Sequence, residues 1–164
     1  MKVGSMELEV RNAMLEVGAP APGWSLSTPR NQARTSAEYA GKVKVISCVP
    51  SIDTRVCSAQ TRRFNVEAAG LSDDIVVLTV SADLPYALGR YCATEGIDKT
   101  ETLSCHLDMG FADAYGVHVV PWRICQRAVF VVDKEDVLRY AQYMPAMGDE
   151  VDFTAALDAA RALA

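Results

Sequence analysis

The sequence has no apolar run approaching the roughly 20 residues needed to cross a bilayer, so no membrane-spanning helix is expected. It has no basic excess either. Sixteen Lys and Arg stand against 21 Asp and Glu, for a formal charge of −5, which leaves nucleic-acid binding without electrostatic support. The opening stretch MKVGSMELEVRNAM shows neither the basic head nor the continuous apolar segment of a signal peptide, so the expected location is cytoplasmic. The five cysteines contain no C-x-x-C pair, which weakens both a zinc ribbon and a dithiol site of the usual spacing. Their odd number and wide spacing also argue against a secreted disulfide framework. His106 and His118 form no ligand pattern with them, so neither a metal nor a cofactor is expected.

Half of the 164 residues are apolar and about a quarter are charged, as in ordinary globular proteins. With no repeat, linker or low-complexity tract, residues 1–164 read as one domain. The N-terminal part carries short alternating runs broken by Gly and Pro, consistent with a small hairpin and loops. TSAEYAGK gives one helical turn stopped by Gly41. KVKVISCVP is a β-branched run ending at Pro50, a residue excluded from sheet interiors.

A helix is expected from about Thr54 to Ala69, with Gly70 as its stop. DIVVLTVSA is apolar enough to be a strand buried on both faces. LPYALGRYCATEG reads as a helix up to Gly96, TLSCHL as a short strand and GFADAYG as a helix ended by Gly116. RAVFVVDKEDVLRYAQYM gives two strands around a turn at Asp133 to Asp136, and DFTAALDAARALA a last amphipathic helix. The order predicts an α/β fold with a mixed central sheet flanked by helices.

The stretch VPSIDTRVCSAQTRRFN sets Cys57 where a strand hands over to a helix. With Thr54 as N-cap, Cys57 is the third helical residue, in a turn whose free N–H groups and dipole favour negative charge. Thiolates are stabilised at such positions. Thr54 adds a hydroxyl within reach of the sulfur or of a reacting oxygen, and Pro50 shapes the turn. A free cysteine is more often a small buried hydrophobe, and position alone does not choose between the two.

PSIDTRVC fits the P-x-x-x-T-x-x-C motif of peroxiredoxins. Together with VSADLPYALGRYC, VGAPAPGWSL, YAGKVKVISCVPS and RAVFVVD, it closely resembles the thiol peroxidase subfamily, the atypical two-cysteine peroxiredoxins. The resemblance runs from about Val17 to the last helix. It implies a thioredoxin-like fold of peroxiredoxin type with an N-terminal β-hairpin extension. It also implies reduction of hydrogen peroxide and organic hydroperoxides. Cys57 matches the peroxidatic cysteine, Thr54 the threonine that bonds the reacting oxygens, Pro50 the shielding proline and Arg127 the active-site arginine. Cys92 matches the resolving cysteine, so the family implies an intramolecular Cys57–Cys92 disulfide recycled by thioredoxin, and a homodimer. The same residues would serve a peroxide sensor or redox relay that passes oxidation to a partner protein.

Arg55 departs from the family pattern and is read as solvated rather than as a second cation at the sulfur. Cys48 is read as core. Cys125, two positions before Arg127, would share its side of a strand, with packing as the favoured role. The sequence assigns no role to Cys105, Arg62 or Arg63.

Acidity alone does not make a peroxidase. Lowering a thiol from about 8.5 to roughly 6 raises its thiolate fraction about 30-fold. A Brønsted slope of about 0.4 to 0.5 takes back roughly 10- to 18-fold in nucleophilicity. Donors aimed at the departing oxygen must therefore supply the larger share, typically about 10²–10³ per donor. Disulfide formation adds a second requirement, because Cys57 and Cys92 fall on different helices. Both helices are expected to unwind locally, helped by the low helix propensity of Gly89.

Overall fold

The computed structural model describes all 164 residues. In chain order the elements are β1 (Lys2–Val3), β2 (Met6–Glu7), β3 (Val10–Arg11), β4 (Ser25–Ser27), β5 (Ala33–Thr35), β6 (Val43–Cys48), α1 (Arg55–Ala68), β7 (Ile75–Ser81), α2 (Pro85–Glu95), β8 (Glu101–Ser104), α3 (Gly110–Ala114), β9 (His118–Val119), β10 (Ile124–Cys125), β11 (Ala128–Val132), β12 (Leu138–Tyr143) and α4 (Phe153–Arg161). A seven-stranded sheet in the order β12-β11-β6-β7-β8-β4-β5 forms the centre. Strands β6, β7 and β8 run parallel, and every other pairing is antiparallel. The expected mixed sheet is therefore present. The N-terminal region adds the β1–β2 hairpin, while β3 joins β9 and β10 in a small sheet of its own.

The central strands read as continuous apolar runs because both of their faces are covered. Side chains alternate between two cores, as the two-residue period of a strand requires. Val43 and Val45 of β6, Val77 of β7, and Val129 and Val131 of β11 pack with Phe64 of α1 and with Phe153, Ala156 and Leu157 of α4. Ile46, Cys48, Leu78, Val80 and Phe130 point the other way, towards Trp24, Phe111 and Tyr115. A third, smaller cluster lies between α1 and α2 at the carboxyl ends of the parallel strands: Val49, Ile52, Cys57, Leu88, Tyr91 and Ile97.

The helix termini follow local chemistry. Thr54 precedes α1 in extended geometry, φ −98 and ψ 147, so Cys57 is its third residue. The helix ends at Ala69 in right-handed geometry, and Gly70 is not left-handed. α2 does close on a left-handed glycine, Gly96 at φ 65, where an L side chain would be strained. Gly116 is left-handed too, and a β-carbon there would collide with the Ala13 carbonyl.

Three expectations are adjusted. The strand at TLSCHL ends at Ser104, the helix at GFADAYG is one short turn, and the β9–β10 hairpin around VPWR was not anticipated. That hairpin reverses through Arg123 at φ 51, a conformation few side chains favour, so the residue at the reversal itself gives no turn signal.

Candidate active site

Cys57 is completely buried in the first turn of α1. The loop before it is held by Asp83, which follows β7. Its carboxylate accepts from the Ser51 hydroxyl at 2.7 Å, the Ile52 N–H at 2.9 Å and the Ser81 hydroxyl at 2.7 Å. Pro50 sits buried in this loop, between the end of β6 and the start of α1. The sheet thus fixes the loop, and the loop fixes where α1 begins.

Thr54 does not cap the helix with its side chain. Its hydroxyl lies 3.1 Å from the Ser51 carbonyl and 2.8 Å from Cys57 Sγ. One hydroxyl proton serves one acceptor well. With a protonated thiol, the hydroxyl donates to Ser51 and accepts from sulfur; with an anionic sulfur, it turns and donates to it.

Arg127, just ahead of β11, is 1% exposed and approaches from the opposite side. One terminal nitrogen, Nη2, lies 3.3 Å from Cys57 Sγ and 3.1 Å from the Met147 carbonyl. The other, Nη1, donates to Gln60 Oε1 at 2.7 Å, and the amide of Gln60 donates to Ser47 Oγ at 2.8 Å. None of these acceptors is a carboxylate. A buried cation of this kind calls for a counter-charge, and the only group in its hydrogen-bonded shell able to carry one is the sulfur of Cys57. Arg127 Nε is buried with no partner, which leaves the guanidinium a further donor.

Cys92 lies in α2 and is half-buried. Its sulfur is 3.1 Å from Thr102 Oγ1 of β8 and lines a surface cavity of about 450 Å³ with Tyr39, Ile97, Thr100 and Glu101. Burial pushes its thiol above the ordinary range, opposed by the Thr102 hydrogen bond. Cys57 and Cys92 are both free thiols, and Cys92 packs at the border of the cluster that holds Cys57. Both helices are fully formed around them.

The neighbours of the two cysteines are joined. The Tyr91 hydroxyl lies 3.1 Å from both the hydroxyl and the carbonyl oxygen of Ser58, and Arg62 bridges Ser58 Oγ at 2.7 Å to Glu95 at 2.9 Å. Arg62 therefore clasps α1 to α2. Arg63 covers the Phe153 ring at 4.1 Å instead. Arg55 is exposed, in line with its solvated reading.

Cys48 is core, as expected. Cys125 is core as well, but its expected kinship with Arg127 is absent. β10 ends at Cys125 and β11 begins at Ala128, so strand alternation does not carry across Gln126. Cys125 meets Cys105 at 3.5 Å, while Arg127 turns to Cys57. Gln60, Ser47 and Asp83 were missed by sequence reasoning. Gln60 had a usable signal, since it lies three residues after Cys57 on the same helix face. The Met147 carbonyl had none.

The Redoxin family model matches residues 16–157. The thiol peroxidase of Bacillus subtilis is 46% identical over 149 residues, covering 91% of this chain and 89% of that protein. That of Streptococcus pneumoniae is 47% identical over 149 residues, covering 91% of each. Among solved structures, a peroxiredoxin-like protein from Aquifex aeolicus superposes with a TM-score of 0.89 at 31% identity, covering 96% of this chain and 92% of that one. A thiol peroxidase from Chromobacterium violaceum reaches 0.84 at 19% identity, covering 94% and 91%, and so speaks to the fold alone.

Proposed function

The chain belongs to the Redoxin family, among its thiol peroxidases, and from that premise we propose how its residues divide the work of a thiol-dependent peroxidase. Cys57 attacks the terminal oxygen of a peroxide, breaking the O–O bond. The sulfur becomes a sulfenic acid, and the other oxygen leaves as alkoxide or hydroxide and takes up a proton. Arg127 and Thr54 stabilise the charge that moves from sulfur to the departing oxygen. Such donors act in a water-excluded site where each is worth about 10²–10³ in rate.

One observation carries this reading. A buried guanidinium and a hydroxyl converge on one buried sulfur, at 3.3 and 2.8 Å. Gln60 holds the guanidinium in plane from the opposite side, through Nη1.

Cys92 resolves the sulfenic acid. Its thiolate displaces the hydroxyl of Cys57 as hydroxide, which leaves as water with the proton that the Cys92 thiol gave up. The product is an intramolecular disulfide that a thioredoxin-type dithiol returns to two thiols. The sulfur of Cys92 is held at Thr102, and a disulfide needs Cα atoms within about 7 Å. In the proposed cycle the first turn of α1 and the last turns of α2 unwind before the bond forms. The proposal takes residues 1–164 as one catalytic domain, working in the cytoplasm as a homodimer.

Mass-spectrometric mapping without reduction, after one equivalent of hydrogen peroxide, tests this. A dominant Cys57–Cys92 cross-link is expected. A Cys57 sulfenic acid persisting beside free Cys92 would overturn the resolving step, and an unmodified Cys57 would overturn the assignment of the nucleophile.

A further inference from the structure

Three cysteines take no part in that cycle, and two of them touch. Cys105 Sγ and Cys125 Sγ lie 3.5 Å apart in the core beneath β7, with 3% and 0% of the two residues exposed. The contact is built by the backbone. Cys105 follows β8, and its N–H donates to the Ser81 carbonyl at 2.9 Å. Its thiol points at the same carbonyl at 3.3 Å, with Met109 Sδ at 3.8 Å. Cys125 closes β10, where it pairs with His118 of β9. Two segments twenty residues apart thus present their sulfurs to each other at van der Waals distance.

We propose that Cys105 and Cys125 are a second redox pair, a buried dithiol that excess peroxide converts to a disulfide inaccessible to protein reductants. The atoms balance without another reactant. One thiol loses its proton, and its sulfur attacks the O–O bond to become a sulfenic acid, releasing the second oxygen as water or alcohol once protonated. The other sulfur then displaces the sulfenic hydroxyl as water. Two thiols lose two hydrogens, and one peroxide is reduced. A disulfide is about 2.05 Å long, so the sulfurs close by about 1.5 Å, a movement on the scale of a side-chain rotation.

The pair differs from Cys57 in two ways that set its place in time. It has no guanidinium beside it, and the Cys105 side chain together with burial hold the Cys125 thiol well above the ordinary range. The thiolate is the attacking species, so this oxidation is slow and belongs to peroxide excess. Hydrogen peroxide is close to water in size, whereas a reducing protein must bring its own thiolate into line with the S–S bond. Burial therefore shuts out a reducing protein far more than a small oxidant, and the disulfide persists after the Cys57 cycle has been reset.

Trypsin separates all five cysteines, because they fall in Val45–Arg55, Val56–Arg62, Tyr91–Lys99, Thr100–Arg123 and Ile124–Arg127. The full chain, and its Cys57→Ser variant, would be treated with one equivalent and with a large excess of hydrogen peroxide, alkylated after unfolding, and mapped without reduction. The expected result is a cross-link between Thr100–Arg123 and Ile124–Arg127 in excess peroxide only, in both proteins. It should survive a reduced thioredoxin-type protein added to the folded protein and disappear when dithiothreitol is added after unfolding. Cys105→Ser should abolish the link and leave Cys125 alkylated.

Alkylated Cys105 and Cys125 after excess peroxide would overturn the proposal, as would a link from Cys105 to Cys48. So would ready reversal by a reduced thioredoxin-type protein in the folded state. Because Cys57→Ser is included, a failure of the Cys57 assignments would not be mistaken for a failure of the inner pair.

Discussion

The hydroxyl of Tyr91 bonds to Ser58, so the residue before Cys92 is tied to the residue after Cys57. This contact holds together the two helices that carry the thiols joined in the proposed cycle. A hydrogen bond of this kind contributes about 1 kcal/mol, a factor of roughly 5 in an opening equilibrium. Tyr91→Phe should raise amide exchange in α2 by about 5-fold while the core strands are unchanged, and should speed disulfide formation after a peroxide pulse. Unchanged exchange in residues 85–95 would mean that the clasp does not govern opening.

On the proposed mechanism, the donors at the sulfur count for more than the helix dipole. Arg127→Gln should lower the single-turnover rate with peroxide by about 10²–10³, and Arg127→Lys should recover only part of it, because a point charge cannot reproduce the planar fork. Thr54→Val keeps the shape and removes the hydroxyl, with a loss of the same order; Thr54→Ser should restore it. Stopped-flow fluorescence under limiting peroxide reads each rate. Near-normal rates in Arg127→Gln would leave the helix terminus as the main source of catalysis and reverse the ranking.

Much of this arrangement was legible in the sequence, for identifiable reasons. The strand-to-helix junction at Cys57 is local: an apolar run, a proline, and Thr54 at the helix start fix it within ten residues. The parallel strands are visible because burial on both faces leaves them uniformly apolar. Arg127 was legible only by resemblance, since nothing in AVFVV says that the residue ahead of it turns towards a helix seventy positions earlier. The Met147 carbonyl, 20 residues from Arg127, and the Asp83 clamp, 32 residues from Ser51, are closer in sequence but carry no signal; one is backbone, the other an ordinary acidic residue in a loop. Cys125 holds the packing role favoured for it, and only its expected sharing of a side with Arg127 fails. Strand alternation was applied across Gln126, where the strand breaks.

Gln60 should act by positioning. It donates to Ser47 and accepts from Arg127, so Gln60→Met leaves the guanidinium with an unpaired buried donor at a cost of about 1–3 kcal/mol. The expected outcome is a lower denaturation midpoint together with a rate loss smaller than that of Arg127→Gln. A purely structural role would spare the rate in the folded fraction. Gln60→Glu separates the two, because a carboxylate there pairs with Arg127 and draws its charge away from the sulfur. It should lower the peroxide rate while keeping or raising thermal stability.

The resolving step should carry its own pH dependence. Burial raises the Cys92 thiol and the Thr102 hydrogen bond lowers it, with burial the stronger. The raised value keeps Cys92 protonated at neutral pH. Its thiolate fraction therefore grows about tenfold per pH unit until the raised value is reached. The thiolate is what attacks the sulfenic acid. Disulfide formation, followed after a peroxide pulse by acid quenching and non-reducing mapping, should accelerate as pH rises through neutrality and level off only above the ordinary thiol range. The sign is fixed by the direction of the shift: a lowered thiol would already have levelled off at neutral pH. A flat profile from mildly acidic to mildly alkaline pH would mean that helix opening alone limits the step, and that the environment of Cys92 in the closed state has no part in its timing.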